Sequence, residues 1–284
     1  MREYQNPAPI EIGSHTFDFS ATYIMGIINV TPDSFSDGGR FLDTGAAVAH
    51  ALKLVSEGAD IIDIGGESTR PGAEEVLLDD ELARVIPVIE KLRAVSNIPI
   101  SVDTYKSAVA RAAVDKGADL INDISGLRFD PAMAETAASL KVPVVVMHMK
   151  GEPKSMQTDP VYENLIEEMY TYFEESIGIA EKAGILRDKI IIDPGIGFGK
   201  TFPHNFSILR NLRRFSDLGL PILVGASRKS FLGSLSSAEA DDRLVESLAA
   251  AVIAASNGAH FVRVHDVAAT RRVLRLCDAV RNAE

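Results

Sequence analysis

Short apolar runs recur along the chain at residues 23–30, 60–65, 99–102, 120–121, 143–147, 189–192, 221–224 and 260–264. They do not alternate apolar with polar. This is the pattern of parallel strands covered by helices on both faces of a sheet. Between them helices are predicted over residues 44–57 and 78–95, after the third strand to 116, over 131–140, after the fifth strand to 183, and over 206–215, 241–256 and 268–281. Gly58 and Gly117 stand where two of these helices should stop. The phrases Glu57-Gly58-Ala59-Asp60, Lys116-Gly117-Ala118-Asp119 and Asn257-Gly258-Ala259-His260 repeat one junction, a helix stop followed by the next strand. Ahead of the first strand, residues 10–19 alternate about Gly13-Ser14, which predicts a small β-hairpin. Eight strand–helix units predict an α/β fold, a (β/α)8 TIM barrel over residues 21–284, with the hairpin in residues 1–20 and the whole forming a single domain. An open doubly wound sheet is the other fold such alternation allows. It gathers its polar residues at one crevice, whereas here they are spread over nearly every strand end.

Those strand ends carry the chemistry. The run Ile191-Ile192 passes into Asp193-Pro194-Gly195-Ile196-Gly197-Phe198-Gly199-Lys200. A buried strand thus delivers a carboxylate and hands over to a loop whose glycines permit close backbone approach to a ligand. Other strands end at Asn29, at Thr69 with Arg70, at Asp103, Asn122, Met147 with His148, Lys229, and Arg263 with His265. In this fold the C-terminal strand ends form one site. Asp103, Asn122 and Asp193 suit the edges of a ring with several donors and acceptors, and Met147 and Phe198 supply apolar faces for it. Thr69, Arg70, Arg263 and His265 suit an anion. The loop Gly225-Ala226-Ser227-Arg228-Lys229-Ser230 adds donors where a short helix begins, after a strand whose loop commonly binds anions in this fold. Plainer readings exist residue by residue. Asp103 could cap a helix, Asn122 could satisfy loop backbone, His148 could be a core histidine, and Arg263 could pair with Asp266. They do not account for polar residues at nearly every strand end together.

No zinc-type spacing, nucleophile elbow or P-loop is present. A hard cation held through Asn29 and a phosphate oxygen would fit magnesium's preference for oxygen ligands. The net charge of −11 argues against a general nucleic-acid surface. The single cysteine, Cys277, excludes a disulfide within these 284 residues and fits a reducing cytoplasmic setting. Residues 1–12 lack a basic segment followed by an apolar core, and no run reaches membrane-spanning length, which predicts neither secretion signal nor membrane anchor.

Two stretches are specific enough to point to a family. Residues 25–39, Met25-Gly26-Ile27-Ile28-Asn29-Val30-Thr31-Pro32-Asp33-Ser34-Phe35-Ser36-Asp37-Gly38-Gly39, and residues 63–72, Asp63-Ile64-Gly65-Gly66-Glu67-Ser68-Thr69-Arg70-Pro71-Gly72, resemble the two signatures of the dihydropteroate synthases. Ser101-Val102-Asp103-Thr104, Ile121-Asn122-Asp123, the Asp193 stretch, Ser227-Arg228-Lys229 and Arg263-Val264-His265-Asp266 are similar to its remaining motifs, in order. One departure is mild: Lys150 and Glu152 stand where the family more often has uncharged residues. The resemblance implies a folate-pathway transferase that joins 4-aminobenzoate to 6-hydroxymethyl-7,8-dihydropterin diphosphate. It implies a pterin site of Asp103, Asn122, Met147, Asp193, Phe198 and Lys229, with Asp103, Asp193 and Lys229 catalytic. It also implies a diphosphate site of Asn29, Thr69, Arg70, Arg263 and His265, with Mg2+ at Asn29. The 4-aminobenzoate site it implies is Phe35, Thr69, Pro71, Phe198, Lys229 and Ser230. A homodimer and sulfonamide inhibition follow from the same resemblance. A methyltetrahydrofolate-using methyltransferase shares such a pterin pocket but lacks the 34–39 loop and the Ser227-Arg228-Lys229 stretch. A non-catalytic homologue would show losses among Asn29, Arg70, Lys229 and His265, and all four are present.

Overall fold

The computed structural model describes residues 7–31, 44–68, 74–151, 154–158, 160–236, 239 and 242–283. Strands β1 (Ile10–Ile12) and β2 (His15–Phe17) form an antiparallel hairpin. Among the described residues eight parallel strands follow: β3 (Tyr23–Asn29), β4 (Ile61–Gly65), β5 (Ile100–Asp103), β6 (Leu120–Asp123), β7 (Val144–Met147), β8 (Ile190–Asp193), β9 (Leu223–Val224) and β10 (Phe261–Val264). They pair in the order β8-β7-β6-β5-β4-β3-β10-β9, and a parallel bridge between Ile192 and Ile222 closes the ring. Helices α1 (Thr44–Ser56), α2 (Leu78–Val95), α3 (Ser107–Asp115), α4 (Met133–Leu140), α5 (Leu165–Ala183), α6 (Phe202–Asn211), α7 (Ser230–Ser236), α8 (Leu244–Ser256) and α9 (Val267–Arg281) fill the intervals. The chain folds as the TIM barrel that its apolar pattern predicts.

Every residue of β4 to β8 is buried, as strands covered on both faces must be. The outward positions, such as Ile24, Ile28, Ile62, Ile64, Val144 and Val146, join the helices in one large core. The inward positions divide into two layers by the two-residue period of a strand. Deep in the barrel lie Met25, Ile61, Leu120, Val145, Ile191, Leu223 and Phe261, packed against Ile10, Ile12, Phe17 and Phe19 of the hairpin and its exit. The hairpin therefore plugs the N-terminal end of the barrel. Two residues further along the same inward faces stand Ile27, Asp63, Asn122, Met147, Asp193 and Arg263, a layer rich in functional groups at the C-terminal end.

Departures from the expected boundaries have local causes. Pro99, Pro143 and Pro221 open three predicted strands, yet the strands begin one or two residues later. Proline has no N–H to give to a ladder. Its carbonyl still accepts, from Ile62, Ile121 and Ile192 respectively. Helix α6 starts before the expected residue 206 because Thr201 and His204 form a reciprocal cap with Pro203 in the first turn. It passes into a 3-10 helix at Leu212–Leu218. Cys277 packs half-buried against the large core. No described helix is long and apolar enough to cross a membrane.

Candidate active site

The inward layer at the C-terminal end lines one cavity. Asp103, Asn122, Met147, Asp193, Phe198, Lys229, Arg263 and His265 all face it, drawn from six strand ends and their loops. Its polar side is a connected chain of groups. Arg263 donates through Nε to Asp63 Oδ2 (2.5 Å) and through a terminal nitrogen to Asp103 Oδ2 (2.6 Å). Asn122 Nδ2 donates to Asp63 Oδ2 (3.3 Å). Asp193 Oδ1 accepts the N–H of Gly195 (2.7 Å), so its other oxygen is available to the cavity. The apolar side is a small cluster of Ile124, Met147, Met149, Met156 and Phe198, with Tyr105 against it. The cavity thus has hydrogen-bonding groups on one side and polarizable apolar groups on the other.

The loop after β9 brings the second cation. Arg228 adopts a left-handed conformation (φ 58°), which a side chain holds only when its surroundings fix it. Here Ser247 accepts its N–H (2.9 Å), Arg243 donates to its carbonyl (3.1 Å), and Asp266 pairs with its guanidinium (2.8 Å). That turn sets Lys229 over the ring of Phe198, its Nζ 4.1 Å from the centroid. Ser227 Oγ lies 3.0 Å from His265 Nδ1 and accepts the backbone N–H of His265. With the hydroxyl donating to Nδ1, the imidazole carries its proton on Nε2, as a donor for an anion.

Burial dominates the electrostatics. It pushes the Asp103 carboxyl up to about 7, with Arg263 opposing and Asp63 adding to the shift. It pushes Asp193 up to about 6 against the Gly195 N–H and the cations of Lys229, Arg263 and Lys200. Burial also works against the charge of Arg263, but Asp63 and Asp103 hold that cation well above its ordinary range. Three carboxylates, Asp63, Asp103 and Asp193, face two cations, Arg263 and Lys229. In their ionised forms the carboxylates set a negative field on a ligand that is or becomes positive.

Asn29, half-buried at the end of β3, and Ser230, exposed at the start of α7, do not line this cavity. Phe35, Thr69, Arg70 and Pro71 lie outside the described residues. The plainer readings fail for two residues. Asp103 does not cap α3, whose N-cap position is Lys106 and which has no side-chain cap. Asp266 pairs with Arg228, not Arg263. The plainer reading holds for His148, which is buried and faces Lys200 and Tyr172. Asp63 is the group that the strand-end pattern misses. It sits inside β4, flanked by isoleucines, fully buried. A charged residue within an apolar strand needs a partner, and that was its available signal.

The sequence profile described as "Pterin binding enzyme" matches residues 25–265. The dihydropteroate synthase of Escherichia coli K12 is 49% identical over 269 residues, spanning 95% of each chain. This chain belongs to the dihydropteroate synthases, a pterin-binding enzyme family. Its barrel superposes on Xanthomonas albilineans dihydropteroate synthase with 4-aminobenzoic acid at a TM-score of 0.92, with 46% identity over 98% of this chain and 100% of that one. The Yersinia pestis dihydropteroate synthase in a sulfonamide drug complex gives 0.92, with 45% identity over 97% and 100%. A dihydropteroate synthase is a transferase, and the paired ring and anion features of the cavity belong to that chemistry.

Proposed function

We propose that this pterin-binding enzyme condenses 6-hydroxymethyl-7,8-dihydropterin diphosphate with 4-aminobenzoate to 7,8-dihydropteroate and diphosphate. The carbon–oxygen bond to diphosphate breaks and its electron pair leaves with the diphosphate. The arylamine lone pair then closes the carbon–nitrogen bond on the cationic pterin methylene, and the ammonium proton passes to solvent. The observation that carries this reading is the single cavity in which Asp103, Asn122 and Asp193 stand opposite Met147 and Phe198. Asp103 and Asp193 supply the negative field for the methylene cation; Lys229 and the protonated Nε2 of His265 answer the departing anion. Incubation with both substrates tests the reading: absence of 7,8-dihydropteroate would reject it.

Among the described residues no group of three His, Cys, Asp or Glu could hold a metal ion. Asn29, at the C-terminal end of β3, would offer one amide oxygen to Mg2+ bound mainly through substrate oxygens and water. When bound, the ion would neutralise charge on the diphosphate. Sulfonamides would occupy the 4-aminobenzoate end, which we assign to Phe35, Thr69, Pro71, Phe198, Lys229 and Ser230, with Thr69 and Arg70 on the diphosphate. A homodimer would use the outer face of α8 and α9, where Val245, Ile253, Leu276 and Val280 are exposed. A monomer by light scattering would reject that face.

Two expectations follow. Ser230→Ala removes one charge-assisted hydrogen bond to the benzoate carboxylate and should raise its KM about tenfold. The KM for the pterin substrate should hardly change; a defect mainly in the latter would mean the two pockets are exchanged. The second concerns pH. Asp103 and Asp193 ionise at about 7 and about 6, above the ordinary 3.8, so acidification protonates them and removes the field that the cation needs. The kcat/KM for the pterin substrate should therefore fall as pH drops from 8 to 5. A flat profile over that range would exclude both groups from the free-enzyme step.

A further inference from the structure

Lys200 takes no part in the chemistry above, yet its side chain is 2% exposed. Its Nζ donates to the carbonyls of Gly195 (2.9 Å), Phe198 (2.9 Å) and His148 (3.2 Å), and lies 2.9 Å from His148 Nδ1. All four partners are neutral, and no carboxylate pairs with it among the described residues. An ammonium has three N–H donors to share among such acceptors. A neutral amine has two donors and a lone pair, which His148 Nδ1 satisfies only in the tautomer that carries its proton there. Three carbonyl oxygens match the three N–H donors of an ammonium, while burial pushes the group well below its ordinary lysine range.

The cage joins two loops. A Cβ on Gly195 would lie 2.0 Å from the carbonyl oxygen of His148, and one on Gly199 would lie 2.2 Å from that of Lys150. The loop after β8 is thus pressed backbone to backbone on the loop after β7, and Lys200 bonds to both. The first loop carries Asp193 at its start and Phe198 within it; the second follows directly on Met147. Lys200 also faces Asp193 and Lys229 electrostatically, while Asp193 faces Lys200, Lys229 and Arg263.

We propose that Lys200 is a positioning residue for the pterin site, an internal ammonium that clamps the loop after β8 onto the loop after β7 and so fixes Phe198 and the ionised Asp193. This rests on the pterin reading above. Lys200 replaces a bound monovalent cation: two loop carbonyls, a third from the neighbouring loop and an imidazole nitrogen surround it. Removing its charge should loosen Phe198 and leave Asp193 with two supporting cations instead of three.

Lys200→Gln keeps donors for the carbonyls but not the charge; Lys200→Met keeps neither. In folded Lys200→Gln, kcat/KM for 6-hydroxymethyl-7,8-dihydropterin diphosphate should fall about tenfold, and the acid limb of its pH profile should move upward. Lys200→Met should lose more. Wild-type kcat/KM with an unmoved acid limb in folded variant would overturn the proposal, because a merely structural lysine changes the yield of folded enzyme and not its profile. Nitrogen-15 resonances of lysine side chains in the wild-type protein test the cation even if both variants fail to fold. A slowly exchanging NH3+ signal at pH 7 is the expected result, and a neutral-amine signal for Lys200 would overturn it. Wild-type enzyme that makes no 7,8-dihydropteroate would instead reject the pterin reading, leaving the ammonium signal to judge the clamp separately.

Discussion

Asp193→Asn is expected to lower kcat/KM for the pterin substrate at least about a hundredfold with the fold intact. The substitution preserves shape, so the loss is chemical. Asp193 already accepts the Gly195 N–H through Oδ1, 2.7 Å away. In the variant the amide oxygen must keep that bond, which turns the amide nitrogen toward the cavity. A ring N–H that met an acceptor now meets a donor. A buried hydrogen bond to a charged group contributes about 1.5–3 kcal/mol, and loss of the negative charge near a forming cation adds to it. A tenfold change in rate corresponds to about 1.4 kcal/mol, so the two effects together reach the hundredfold range. Steady-state kinetics on the purified variant, with thermal melting to verify the fold, would check this. Turnover at the wild-type level would remove Asp193 from the reaction.

Gly195→Ala should be as damaging by a different route. Gly195 has φ +62°, where an L side chain is strained, and its Cβ would stand 2.0 Å from the His148 carbonyl oxygen. Backbone cannot step aside as the end of a flexible side chain can. Strain of about 1–3 kcal/mol is expected from the dihedral, with a further 1–3 kcal/mol from overpacking. Gly219 is the control: φ is +70° but nothing lies within 4 Å of a Cβ there. Gly219→Ala should show only the dihedral strain. Urea midpoints of the two variants would decide between them. Equal loss in both would show that the contact with His148 is not close enough to matter.

The legible part of this protein was its inward alternation and its strand ends. Residues such as Asp193 and Asn122 announce themselves because a polar group closes an apolar run, and the (β/α)8 fold gathers all such ends at one rim. Asp63 was not legible in that way. It stands in mid-strand within Ile61–Gly65, and its partner Arg263 comes from the other end of the chain. Only the pairing of β3 with both β4 and β10 brings the two together. The role of Lys200 was equally hidden, since a lysine ending a glycine loop reads as a surface residue until the loop folds around it. The boundary of α6 was set by a cap between Thr201 and His204, a signal weaker in sequence than the apolar spacing that followed it.

The ring is fastened unevenly. Most neighbouring strands share several rungs, but β9 has two residues, and between it and β8 stands the bridge from Ile192 to Ile222. That lightly stitched join separates Asp193 from the turn that carries Lys229. A barrel is often regarded as a rigid frame with motion left to its loops. Here the sparsest pairing lies in the frame itself, and parting there would widen the cavity between Asp193 and Lys229. Deuterium should accordingly enter the amides of residues 222–224 sooner than those of β4 or β5. Asp193 and the turn that carries Lys229 would then stand on either side of the most lightly bonded join among the described strands.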